Sequence, residues 1–388
     1  MKITSLGAVL ASTSLVLAFH SAPAQDWIQT GAPSNYWASV ACSADGAKLA
    51  AVAGGQFNLG QIYTSTNAGT DWALTAAPTL RWTSVASSFD GTQLAAVAYG
   101  NGIYTSTNAG LSWISNNVAA GNWTSVASSA DGTRIAAARY VSLVYVSTNG
   151  GVTWVSNPTT GTADILTVAL AADGGTLAAG NNIGRTLVST NEGAAWARSN
   201  SLGATVTSLS ASANGRRLAG VASGRGVYSS LDGGATWVSN SLPANSSWYA
   251  VAGSADGTEL TALGQKSIIY STTNGGAQWV TNIAPALIWS GAASSADGSV
   301  VFATSSNGGI WARRRAPTPS LRAVGVGNQL IFSWVLPTAG FVLQKANLIT
   351  ATNWVDVTNI PAIDPATLEN RVTLPIQGGA AFYRLRIL

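Results

Sequence analysis

The chain is poor in the residues that carry most enzyme chemistry. Among 388 residues there is one histidine, His20, one cysteine, Cys42, and one methionine, at position 1. A single cysteine excludes an intrachain disulfide. Charge is sparse as well: Lys and Arg number 19 and Asp and Glu 15, together 9% of the chain. The basic residues are neither dense nor interleaved with aromatics along a face, which excludes a nucleic-acid footprint. Long apolar runs are absent after the first 25 residues. That opening stretch, "MKITSLGAVLASTSLVLAFHSAPAQ", has a positive start at Lys2, an apolar run over residues 6–19 and a small-x-small site at Ala22-Pro23-Ala24. It predicts an export signal over residues 1–24, cut before Gln25, and no transmembrane segment afterwards. The mature protein is therefore expected outside the cell, or in the periplasm or cell envelope. With His20 removed it has no imidazole, which rules out Ser-His-Asp and Cys-His catalysis and histidine metal sites.

Abundant instead are Gly, Ser, Thr, Ala and Trp, arranged periodically. "WTSVASSFDGTQLAAVAYGNGIYTSTNAGLSW" (82–113) is followed by "WTSVASSADGTRIAAARYVSLVYVSTNGGVTW" (123–154). Equivalent starts fall at Trp37, Trp82, Trp123, Ile165, Val206, Trp248 and Trp289, in steps of 45, 41, 42, 41, 42 and 41 residues. That period is the one expected of four-stranded propeller blades. Each unit parses into four short strands, A to D, with Asp-Gly or Asn-Gly turns between A and B, from Asp45-Gly46 to Asp297-Gly298. Such dipeptides tolerate the positive φ of a tight hairpin. The turn role withdraws most of the aspartates from a catalytic list. Cys42 stands where sister units have Ser87, Ser128 or Ala211, and so reads as a small buried residue.

The seventh unit (289–315) lacks strand D, and "DWIQTGAPSNYW" (26–37) matches the D-strand segment "SWISNNVAAGNW" (112–123). The N-terminal strand is thus expected to close the last blade, removing a free sheet edge. The prediction is an all-β, seven-bladed propeller over residues 25–312, a linker over 313–320, and a small β-sandwich of the immunoglobulin or fibronectin kind over 321–388. In the last segment "NQLIFSWV", "FVLQKA", "NWVDVT", "NRVTLPI" and "AAFYRLRI" read as strands.

The C–D corners align as "STNAGTDW" (65–72), "STNAGLSW" (106–113), "STNGGVTW" (147–154), "STNEGAAW" (189–196), "SLDGGATW" (230–237) and "TTNGGAQW" (272–279). They resemble the Asp-box, or BNR repeat, of sialidase-like, sortilin-like and photosystem II assembly factor-like propellers, whose pattern is Ser-x-Asp-x-Gly-x-Thr-Trp. Five copies carry Asn in place of the Asp; Asp232 alone keeps the carboxylate. A corner of this type needs an oxygen that accepts backbone N–H groups, and an amide serves as well as a carboxylate. Largely neutral boxes are poor calcium ligands. The boxes therefore read as structural corners, and no cofactor or metal is expected.

Ligands of propellers usually meet the face carrying the D–A and B–C loops, around the channel mouth. There Trp82 and Trp123, with Trp37, Trp248 and Trp289, either form an aromatic collar for sugars or peptides or fill the gaps between blades. Residues that break the repeat are Arg139 and Tyr140 at the end of strand B, Asp164 before strand A of blade 4, and Arg185 and Arg225 in B–C loops. They are the candidate ligand-binding residues, a polar patch over blades 3 to 5, or else a solvated loop surface. Resemblance to sialidases implies three arginines, a Tyr-Glu pair and an aspartate acid. The two glutamates of the repeat region, Glu192 and Glu259, lie in a box and at a strand B, neither suited to that role. Inverting hydrolysis needs two carboxylates across a cleft, and Asp164 is the one candidate. The expectation is a non-enzymatic exported scaffold with a protein or carbohydrate partner on the channel-mouth face. A glycoside hydrolase of the sialidase-like clan is the alternative.

Overall fold

The structure, a computed structural model, describes residues 2–3, 27–159, 163–240, 242, 247–265, 268–315, 321–335, 341–347, 353–364, 367–376 and 381–387. Apart from Lys2 and Ile3, which pair with Phe382 and Ala381, the segment read as an export signal lies outside these residues. The first repeat unit folds into one antiparallel sheet of four strands in sequence order: Trp37–Cys42 (A), Leu49–Ala53 (B), Ile62–Ser65 (C) and Ala73–Leu74 (D). Six further units repeat this, with A strands opening at Trp82, Gly121, Ile165, Val206, Trp248 and Trp289. Blades 2 and 3 merge into an eight-stranded sheet because Gly121 and Asn122 pair with Asn101 and Tyr99. The seventh sheet takes its fourth strand from the start of the chain: Ile28 pairs with Ala312 and Gln29 with Trp311. Each later D strand opens one residue after its tryptophan rather than on it, as at Ala73 and Ile114.

Local chemistry explains each hairpin. In the A–B turn of blade 2, Asp90 Oδ1 accepts from Ser88 Oγ (2.6 Å) and from the Thr92 N–H (3.0 Å), while Ser88 Oγ accepts from the Gln93 N–H (3.0 Å). Burial is the largest influence on Asp90 and would raise its pKa. The hydrogen bonds from Ser88 and Thr92, with the charge of Lys48, outweigh it and hold the carboxyl low. The turn glycine has φ of +73° at Gly132, and a Cβ there would lie 2.7 Å from Gln93 Cβ of the preceding blade. Gly132→Ala therefore combines backbone strain with overpacking and should cost ~1–3 kcal/mol in urea unfolding; an unchanged midpoint would contradict this close approach.

Strand B is short, small and wholly buried in blades 1, 4, 5 and 6, as in Leu49–Ala53. It lets seven apolar clusters form, each shared by two neighbouring blades. Trp82, for example, packs with Val52 and Ile62 of blade 1 and with Val85 and Leu94 of its own blade. The inner edges of the A strands are satisfied by side chains: Thr83 Oγ1 donates to the Trp123 carbonyl (3.0 Å), and Ser84 Oγ accepts from the Val126 N–H (3.1 Å). At the A–B end a closed cycle of backbone hydrogen bonds runs Ala44, Phe89, Ala130, Ala172, Ala213, Ala255, Ala296 and back to Ala44, each 2.6–2.9 Å.

The arginine run assigned to a linker belongs partly to the ring, since strand C of blade 7 is Ile310–Arg314. Arg313 donates to Ser271 Oγ (2.9 Å) and Asn282 Oδ1 (2.7 Å) of blade 6, and Arg315 pairs with Glu259 at 2.9 Å. Arg314 reaches the Ala68 carbonyl of blade 1. Burial is the main reason that the Glu259 carboxyl is raised despite Arg315. The triplet thus clamps the closing blade to both neighbours, at the one corner where no complete box is present.

The C-terminal segment forms two antiparallel sheets over one core that includes Phe332, Trp334, Leu343 and Val372. The expected strands are present, and two more, Arg322–Val326 and Ala362–Asp364, precede and interrupt them. Val335 and Leu368 pack against the alanines of the hydrogen-bond cycle, so this segment sits on the A–B end of the channel.

Candidate functional site

The six boxes share one turn, and three of them, at Trp72, Trp154 and Trp279, add an indole hydrogen bond that Trp113, Trp196 and Trp237 do not make. In the first, Ser65 Oγ accepts from the Gly69 N–H (2.9 Å), Asn67 Oδ1 accepts from the Asp71 N–H (2.9 Å), and Trp72 Nε1 donates to the Gly69 carbonyl (3.1 Å). In the fifth, Asp232 Oδ1 accepts from the Thr236 N–H at the same 2.9 Å. The amide and the carboxylate therefore accept the same turn hydrogen bond. Each box glycine faces the preceding blade, as where a Cβ on Gly110 would meet Thr64 Cγ2 at 2.8 Å. The boxes bind blades together on the side opposite the channel-mouth loops, and among the described residues no three His, Cys, Asp or Glu side chains gather as metal ligands.

Asp232 gives this a pH signature. Hydrogen bonds from the Thr236 hydroxyl and N–H, then from Ser230, lower its pKa from 3.8 to about 2. A depressed carboxylate adds stability above its unfolded pKa and loses it as pH falls through the folded value. Asp232→Asn should therefore be less stable than the native chain at pH 7, with the gap shrinking between pH about 4 and 2. Denaturation midpoints of both proteins across that range check it; a constant gap would contradict it.

The tryptophans are not a collar. Trp82 and Trp123 are 0% exposed, as are Trp37 and Trp248, and Trp289 is 1%. Trp82 Nε1 donates to the Pro78 carbonyl and Trp123 Nε1 to the Asn101 carbonyl. Their rings meet Tyr104 and Tyr145 edge-on at 5.1 and 4.9 Å. They fill the gaps between blades, and neither ring is offered to a ligand.

The repeat-breaking residues do lie on the D–A and B–C loops, in unequal states. Arg139 is half-buried: its guanidinium sits 5.9 Å from the Trp123 ring and donates to the Ala120 carbonyl (3.0 Å) and Tyr145 hydroxyl (3.4 Å). It roofs a blade junction. Asp164 Oδ2 accepts from Asn182 Nδ2 at 3.0 Å, at the base of the loop that carries Arg185. Tyr140 is 42% exposed. Arg185 and Arg225 are exposed and make no ion pair with a described residue; so is Arg81, in the loop entering blade 2. No hydrogen bond or ion pair joins Arg139, Asp164, Arg185 and Arg225 to one another.

Two features extend the sequence reading, which had Asp164 as the one acid of this face with three of its arginines. One is a charge division. Among the described residues of blades 1 to 7, Asp164 is the only carboxylate on the D–A and B–C loops, where Arg81, Arg139, Arg185 and Arg225 also lie; the rest occupy A–B and C–D corners. The other is a cavity of about 150 Å³ at the A–B end, lined by Cys42, Ser88, Ser129, Leu170 and Leu368 among others. Burial, with the nearby Asp45 and Asp297, pushes the Cys42 thiol up to about 12. At neutral pH it is an inert thiol, as a nucleophile must not be.

No family model matches the chain, and no curated protein does. Solved structures do resemble it. YCF48 from Cyanidioschyzon merolae is 14% identical with a TM-score of 0.59, covering 75% of this chain and 98% of its own. YCF48 bound to a D1 peptide is 15% identical with a TM-score of 0.55, over 77% and 98%. The Cps50 (Swd1) β-propeller domain of Myceliophteria thermophila is 16% identical with a TM-score of 0.56, over 74% and 99%. At these identities the likeness concerns architecture, and the chain is an all-β propeller.

Proposed function

We propose that this protein is an exported propeller scaffold at the cell envelope that binds an acidic polypeptide through its D–A and B–C loops. The carrying observation is the charge division: among the described residues, one face holds four arginines against a single carboxylate that is already hydrogen-bonded to Asn182. A face of one sign steers and orients a partner of the other. A propeller solved with a bound peptide, YCF48 with D1, supports a polypeptide ligand. The hydrolase alternative would need a second acid across a cleft from Asp164, and among the described residues that face offers none.

The test is fluorescence anisotropy with a labelled glutamate-rich peptide at low salt. Arg185→Glu combined with Arg225→Glu should weaken binding at least tenfold, about 1.4 kcal/mol, and added salt should weaken native binding. Equal affinity of native and double variant would overturn the proposal. A neutral oligosaccharide bound equally by both, with no peptide binding, would assign the face to sugars instead.

A further inference from the structure

Blade 1 carries the longest unit of the repeat, the 45-residue step from Trp37 to Trp82, and the additional residues lie in its B–C loop, 54–61, "GGQFNLGQ". The loop is pinned at its base. Gly54 N–H donates to the Tyr36 carbonyl (2.7 Å), Gly55 N–H to the Trp82 carbonyl (2.7 Å), and Gly60 exchanges hydrogen bonds with Leu80 (2.8 and 3.1 Å). Its ends approach so closely that a Cβ on Gly60 would lie 2.1 Å from the Ala53 carbonyl oxygen. This tied loop presents Phe57 at 81% exposure and Leu59 at 66%.

The neighbouring loops continue the display. Tyr36, whose carbonyl holds Gly54, is 59% exposed. Asn35 binds the Gly308 carbonyl of the blade 7 B–C loop, whose Ser306 binds the Ile288 carbonyl, and Ile288 is 51% exposed. Residues 30–36, 54–61, 283–288 and 306–309 contain no Asp, Glu, Lys or Arg. Isolated exposed apolar residues are ordinary; several on contiguous, uncharged, fixed loops mark a contact surface. Fixing the loop in advance removes part of the ordering cost of binding.

We infer that the loop bearing Phe57 and Leu59, with Tyr36 and Ile288, is the anchor site for an apolar stretch of the same polypeptide whose acidic stretch meets the arginines. This rests on the acidic-polypeptide reading above. The occupant follows from complementarity: one face is divided into an uncharged apolar sector over blades 7 and 1 and a cationic sector beyond Arg81. A ligand that matches both carries an apolar segment beside an acidic one.

Two synthetic peptides test it on the full exported chain: one glutamate-rich with a Gly-Ser half, the other with that half replaced by Leu and Phe. The apolar half should tighten binding about tenfold on the native protein, as expected for partial burial of two large side chains. Phe57→Ser combined with Leu59→Ser should erase that gain while leaving the Gly-Ser peptide bound as before, which also shows that the variant is folded. Arg185→Glu with Arg225→Glu should weaken both peptides and keep their ratio. A ratio of one on the native protein, or a ratio unaffected by the Phe57 and Leu59 changes, overturns the inference. So does a Phe57-dependent self-association or vesicle binding without any peptide gain. If the Gly-Ser peptide fails to bind but the apolar one binds through Phe57, the anchor stands and the acidic reading falls.

Discussion

Trp82→Ala is expected to destabilise the protein by ~3–5 kcal/mol. The indole is 0% exposed, packs between blades 1 and 2, meets Tyr104 at 5.1 Å and donates to the Pro78 carbonyl at 3.1 Å. Truncation removes the transfer free energy of a large side chain and leaves a void. The void has little room to collapse, because its walls are two sheets held at fixed separation by the hydrogen-bond cycle, by the Gly55 N–H bond to the Trp82 carbonyl (2.7 Å) and by the Val85 N–H bond to Ser39 Oγ (3.4 Å). Urea unfolding followed by circular dichroism gives the value. Leu111→Ala, at an 80%-exposed box tip, is the control and should stay within about 0.5 kcal/mol. A loss at Trp82 below about 1.5 kcal/mol would mean that the ring is loosely filled and the tryptophan free to serve another purpose.

Gly31→Ala should be the most damaging single methyl at the closure seam. Gly31 N–H donates to the Gly69 carbonyl at 2.8 Å, and the added Cβ would stand 2.0 Å from the Thr70 carbonyl oxygen. Neither strand can yield cheaply: Thr30 is tied to the Ile310 carbonyl by both its N–H and its hydroxyl, each at 2.9 Å. The expected cost is ~3 kcal/mol, the upper part of the usual overpacking range. The substitution should also expose the N-terminal strand to protease before the other blades, read by limited proteolysis and N-terminal sequencing. Native-like resistance would show that the ring is held shut without this contact.

Most of the architecture was legible because each blade repeats the same local rules. Trp or an aliphatic residue opens strand A, Asp-Gly turns it, and the box closes C on D; an unmatched D segment at the start of the chain implied the closure. Three things were less legible. The arginine triplet read as a linker because adjacent charges are normally solvated, and here Arg313 is drawn inward by Ser271 and Asn282, far away in sequence. The side to which the strand-A tryptophans point is set by the neighbouring blade, so their repetition fitted a collar and a core equally. The blade 1 loop left a single trace, a step of 45 residues among steps of 41 and 42. Its significance depends on exposure, which the identities of Phe57 and Leu59 would not suggest.

The borrowed strand has a consequence in time. Each of the first six blades is completed by pairings within about 40 residues, so those sheets can form as the chain is made. Ile28 and Gln29 must wait for Ala312 and Trp311, the longest-range strand pairing in the ring and one whose loop entropy no earlier contact in that sheet offsets. The first strand of the ring to be synthesised is thus the last strand of the ring to be paired. A chain stopped short of Ile310 would hold six complete sheets, an open arc with two unmatched flanks, and Trp27 without Trp289 beside its ring. Ring closure is then the step that converts a string of independently formed blades into a single cooperative unit.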